Sequence, residues 1–267
     1  MFNKVICIGD SYTNEHRHYE NNNIDFKQLG YEFKSYPQLL GEHYGCDWET
    51  FGRPGMPMPY SLQILIDKID YIQSFDNPLV IYQFGFFDNL ILSTSGGDYV
   101  EWKDIAAETM GAPSHNNSEV LPKSRYQVIN HNQNFFEDIQ MSKLEAVGMM
   151  TFLEKFGDLT NYHLIEQFLS IAKLLKRSNI DIYGVFFSQS KNIQVPKHNN
   201  ILHMGKRGFG LDLVTERLDD IFPQFNDTHK TTKGNQAIAD EIINILLKKL
   251  NIDGWREKYS NNCDDLI

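Results

Sequence analysis

Val5-Ile6-Cys7-Ile8-Gly9-Asp10-Ser11-Tyr12-Thr13 is the stretch that decides how the chain is read. Val5 to Ile8 is a short, unbroken apolar run, the pattern of a strand covered on both faces as in a parallel sheet. Gly9-Asp10-Ser11 punctuates its end. Further along, Trp48 to Phe51, Pro78 to Phe84 and Asp181 to Phe187 read as three more strands. Helical spacing lies between and after them. Pro37 to Tyr44 carries Leu39, Leu40 and Tyr44 on one side, and Tyr60 to Phe75 places Leu62, Leu65, Ile66, Ile69 and Ile72 at steps of three and four. Tyr162 to Leu175 repeats that pattern, Leu211 to Phe222 is read as a further helix, and the last helix carries Ala237, Ile238, Ile242, Ile243, Leu246 and Leu250. Strands that alternate with helices imply an α/β protein with a parallel sheet and helices on both of its faces.

Residues 93–156 break the alternation. They are polar, rich in Asn, Ser and Gly, and lack a clear core of their own, so they are expected to be an insertion or lid between strands three and four. Residues 1–250 are then one domain and 251–267 an acidic C-terminal tail. The composition fits this size. The 267 residues are 41% hydrophobic and 13% aromatic, enough for a packed core and too apolar for disorder. A net charge of -10 argues against a phosphate-binding surface, so nucleic acid is not an expected partner. Cys7, Cys46 and Cys263 are far apart and odd in number, which suits neither a disulfide framework nor a CxxC metal site. No apolar run approaches the ~20 residues that span a bilayer, and no signal peptide is readable. No membrane partner and a cytoplasmic location are expected; the oligomeric state is not legible.

In open parallel sheets the ligand sits at the carboxyl ends of the strands. Ser11 lies there. A serine in a strand-to-helix turn exposes its hydroxyl and turns its own N–H into the site, which suits a nucleophile that also donates to an oxyanion; it equally suits an ordinary helix N-cap. Asp227-Thr228-His229 precedes the last helix, and an Asp this close to a His in a loop can orient the imidazole as a general base.

Gly9-Asp10-Ser11 after the first strand, joined with Asp227-x-His229-x-Thr231-x-x-Gly234 before the last helix, resembles the SGNH (GDSL-like) hydrolase family over residues 3 to 250, minus the insertion. The resemblance implies a three-layer α/β/α sandwich of the flavodoxin-like kind. It also implies serine esterase or acyl-transfer chemistry without a metal or other cofactor, with Ser11 as nucleophile, His229 as general base and Asp227 as its orienting acid. Gly52-Arg53-Pro54-Gly55 looks like the family's second block, in which Gly55 would donate a backbone N–H to the oxyanion beside that of Ser11.

Two departures matter. The family's commoner acid position corresponds to Asn226, which leaves Asp227, or a backbone carbonyl, to serve His229. Its third block, Gly-x-Asn-Asp, is matched by Gly85-Phe86-Phe87-Asp88-Asn89, so Phe87 stands where an amide should donate and Asn89 is the nearest replacement. A small-molecule or glycan ester is the expected substrate, and O-acetyl groups on carbohydrate are preferred because the surrounding Asn, His and Tyr residues suit a hydroxyl-rich ligand. Transfer of the acyl group to a sugar rather than to water, and a catalytically silent carbohydrate-binding fold, remain open beside hydrolysis.

Overall fold

The computed structural model describes residues 2–15, 19, 25–52, 58–84, 90–93, 126–129, 162–187, 195–206, 208–213, 216–225 and 229–260. Five strands form one parallel sheet: β1 (Lys4–Gly9), β2 (Asp47–Gly52), β3 (Pro78–Phe84), β6 (Ile182–Phe186) and β7 (Ile201–Leu202), in the order β2-β1-β3-β6-β7. β1 and β3 lie inside the sheet, and their continuous apolar runs follow from burial on both faces. β2, at one edge, is partly exposed over most of its length. By position in the sheet, the chain runs from β1 outward to β2, returns to β3 on the other side of β1 and continues outward to β6. The strand order thus reverses between β1 and β3, and the carboxyl ends of the strands at such a reversal are the usual address for a ligand in parallel sheets.

Alternation along the strands divides the core. Ile6, Ile8, Val80, Tyr82 and Phe84 pack with Met58, Leu62 and Leu65 of α2 (Met58–Asp67) and with Leu164, Phe168 and Leu175 of helix α4 (162–176). Val5, Cys7, Leu79 and Ile81 point the other way, toward Tyr36, Leu39 and Leu40 of α1 (Tyr36–Tyr44) and Ile238, Ile242 and Leu246 of α6 (Thr232–Ser260). On the first face Phe84 stacks on Phe186 with centroids 4.2 Å apart, and Phe168 meets both Tyr82 and Phe84 at 5.0 Å.

Several elements differ from the sequence pattern. The helix expected over 60–75 is two, α2 and α3 (Ile69–Gln73), interrupted at Lys68, whose ammonium lies over the Phe51 ring at 4.5 Å. The helix expected over 211–222 is a 3-10 turn (Gly210–Leu213) and a single turn, α5 (Leu218–Ile221). Here tertiary pairing overrides propensity: Leu218 donates its N–H to the His229 carbonyl at 2.8 Å, and Arg217 bridges to Lys230. β7 has only two residues, too short to show a pattern. Within the polar segment after β3, β4 (Leu90–Ser93) pairs antiparallel with β5 (Tyr126–Ile129). The last helix continues to Ser260, past the end of its apolar stripe.

The ends of β1 and β2 approach closely where Gly9 faces Gly52. Gly52 has φ +151°, and a Cβ there would stand 1.8 Å from the Gly9 carbonyl oxygen. Gly52→Ala should therefore force the two strand ends apart and cost about 2 kcal/mol or more. Urea denaturation checks this; an unchanged midpoint would contradict it.

Candidate functional site

Beyond β1 the chain turns at once. The Asp10 carbonyl accepts the N–H groups of Thr13 and Asn14 at 3.1 and 3.0 Å, which makes Gly9-Asp10-Ser11-Tyr12 a tight turn into a helical segment. Ser11 sits in that turn, 7% exposed. The turn is pinned from below. Gln83 of β3 donates to Asp10 Oδ1 at 2.7 Å, and its Oε1 accepts from the Asp10 N–H and the Thr13 hydroxyl. Thr13 also bonds the Tyr36 hydroxyl at 2.9 Å. Asn14 reaches sideways, donating to the Gly52 carbonyl and accepting from Thr50, so the turn is tied to β2 as well.

The loop before α6 arrives from the other end of the chain. Thr231 caps the helix by accepting the Gly234 N–H at 3.2 Å and donates its own hydroxyl to Glu216 at 2.8 Å. This gives the Thr-x-x-Gly spacing a local cause. His229, half-buried, is held through its carbonyl by Leu218. Its ring lies 4.6 Å from that of Tyr12, centroid to centroid, tilted by 31°. Tyr12 directly follows Ser11. Lys230, 2% exposed, places its ammonium 3.5 Å from the centre of the Tyr12 ring, a cation–π contact made in a desolvated setting. Glu15, with no exposed surface, accepts the Lys230 N–H and the Asn235 side-chain amide.

The segments that carry Ser11 and His229 are thus neighbours, although 218 positions separate the two residues in the sequence (229 minus 11). Asp227, Gly55 and Asn89, like Phe87 and Asn226, lie outside the described residues. Gln83, Glu15 and Lys230 are polar residues of the site that the motifs did not single out. Gln83 interrupts the apolar run of β3, and that interruption was the available signal. Among the described residues, no group of three or more His, Cys, Asp or Glu side chains is arranged to hold a metal, and no helix is long and apolar enough to cross a membrane. An open groove of about 520 Å³ runs between α2 and α4, lined by Leu62, Ile66, His163 and Gln167 among others; none of the motif residues forms it. No protein-family model matches the sequence, and no curated protein is significantly similar to it.

Asp10, within the serine turn itself, carries a buried carboxyl. It is 2% exposed, and its Oδ2 is buried without a hydrogen-bond partner among the described residues. Burial pushes its carboxyl up to about 6, against the opposing pull of the Tyr12 N–H, the Gln83 amide and the Lys230 charge. An unfolded aspartate titrates near about 3.9. Between those values the folded protein keeps a proton that the unfolded chain has released, so this group's contribution to stability falls as pH rises through the window. Asp10→Asn should remove that dependence. Its stability relative to wild type should improve by up to ~3 kcal/mol between about pH 4 and about pH 7. Denaturation curves at the two pH values measure this; a constant difference between the proteins would contradict it.

Proposed function

We propose that the protein is a serine esterase of the SGNH (GDSL-like) type, independent of metal, acting on O-acetyl groups of carbohydrate. One observation carries the reading: the Tyr12 ring beside Ser11 rests against the His229 imidazole, so the turn after the first strand and the loop before the last helix share one site. A lone Ser turn or a lone Asp-x-His loop would argue little; their convergence supplies the nucleophile and base that acyl transfer needs. In the same reading the sheet and its helices form a three-layer α/β/α sandwich, and residues 93–156 are an insertion or lid in the sequence between β3 and β6.

The chemistry follows from the residues. Ser11 Oγ attacks the ester carbonyl carbon as His229 takes the hydroxyl proton, with Asp227 orienting the imidazole and stabilising its cation. The negative charge that develops on the carbonyl oxygen is met by the N–H groups of Ser11 and Gly55, with the Asn89 amide as a third donor. Collapse of the tetrahedral intermediate breaks the ester C–O bond, and His229 returns its proton to the leaving sugar oxygen. Water, deprotonated by the same imidazole, then attacks the acetyl-enzyme and releases acetate and the free Ser11 hydroxyl. Phe87 itself donates nothing, so without the Asn89 amide the hole would be one donor short, a loss that slows such reactions by about a hundred- to a thousandfold.

Phe87 also favours a second reading, a silent carbohydrate-binding protein that keeps the fold and lacks turnover. A fluorophosphonate probe separates the two. The esterase reading expects covalent labelling of wild type at Ser11, abolished in Ser11→Ala and reduced at least about a hundredfold in rate in His229→Ala. It also expects acetate release from an O-acetylated oligosaccharide. Glycan binding with no labelling would establish the silent reading instead.

A further inference from the structure

Resting on the esterase reading, we infer that Glu15 is a positioning residue for the general base: its buried carboxylate fixes the His229–Lys230 segment against the Ser11 turn. Backbone hydrogen bonds on either side and the rings of Tyr12 and Tyr19 locate His229. Its carbonyl accepts from Leu218 at 2.8 Å, the following N–H, that of Lys230, donates to Glu15 Oε1 at 3.3 Å, and its ring leans on Tyr12. Glu15 lies one turn of chain beyond Ser11, so the restraint on Lys230 is referred directly to the nucleophile's own segment. The second carboxylate oxygen accepts from Asn235 Nδ2 at 2.6 Å, which ties the first turn of α6 to the same point. The Lys230 ammonium over Tyr12 holds the segment from its side-chain end.

A fully buried carboxylate is costly, and it is tolerated only where its hydrogen bonds are good. Here it accepts from both a main-chain N–H and an amide, across separations of 215 and 220 residues. Positioning on this scale matters for a proton transfer, because a displacement of ~1 Å can cost about a hundredfold in rate.

The test uses the intact chain and three variants. In Glu15→Ala, kcat for p-nitrophenyl acetate should fall about a hundredfold with KM nearly unchanged, and labelling of Ser11 by fluorophosphonate should slow by a similar factor. Glu15→Gln should recover most of that loss. It keeps an acceptor for the Lys230 N–H, and its amide can donate to Asn235 Oδ1, a buried oxygen with no hydrogen-bond partner among the described residues, once the Asn235 amide turns over. Asn235→Ala, which removes one of the two anchors, should lose roughly tenfold in kcat, and it keeps the inference testable where Glu15→Ala does not fold. A Glu15→Ala protein that melts earlier yet labels and turns over at the wild-type rate while folded would assign Glu15 a purely structural role and overturn the inference. So would a Glu15→Gln protein as slow as Glu15→Ala, or an Asn235→Ala protein as fast as wild type. Failure of wild type itself to label at Ser11 would instead remove the esterase reading on which the inference rests.

Discussion

The Glu15 carboxylate, shut away from solvent, accepts hydrogen bonds from Lys230 and Asn235 and so closes the chain across more than two hundred residues. Much of the site depends on that closure. The helical segment after Ser11 cannot shift without breaking it, and neither can the first turn of α6. The sheet sets the distance over which the link must reach. β1 lies between β2 and β3, Gln83 and Asn14 fasten its terminal turn to both neighbours, and α6 packs on the face that carries Val5 and Cys7. Apolar burial therefore fixes where the two loops come from, and a few buried polar bonds fix how they meet. An unpaired polar group in this setting costs about 1–3 kcal/mol, which gives the network its specificity.

The polar layer under the serine has a second consequence. Asp10 and Lys230 bring opposite charges into a region with little water, with the Tyr12 ring packed against the ammonium. Interactions between charges in such surroundings are stronger than on the surface. The same dryness that strengthens a base or an oxyanion donor also raises the Asp10 carboxyl, so the site trades some folded stability near neutral pH for a rigid turn.

Much of the fold was legible because burial on two faces leaves a plain mark. Val5 to Ile8 and Pro78 to Phe84 are continuous apolar runs, and 162–175 has a clean amphipathic stripe. What was illegible was short or decided by distant partners. Ile201-Leu202 is a strand only because Gly184 and Val185 offer it an edge, and 211–222 is not one helix because Leu218 gives its N–H to His229. The site divides in the same way. Ser11 and His229 stand in motifs with local causes, a turn after a strand and a capped helix entrance. Glu15 and Lys230 carry no such mark, since a buried charge is recognised by its partner and that partner lies at the far end of the chain. Asp227, Gly55 and Asn89 rest on motif spacing alone.

In the proposed reading Ser11 and His229 act as one unit on a single proton. A double-mutant cycle on p-nitrophenyl acetate turnover tests it most directly. Groups that share one proton transfer are strongly non-additive, so Ser11→Ala, His229→Ala and the double variant should lose kcat to about the same low level. Losses that multiply in the double variant, or a Ser11→Ala protein as active as wild type, would show that the two side chains do not work together.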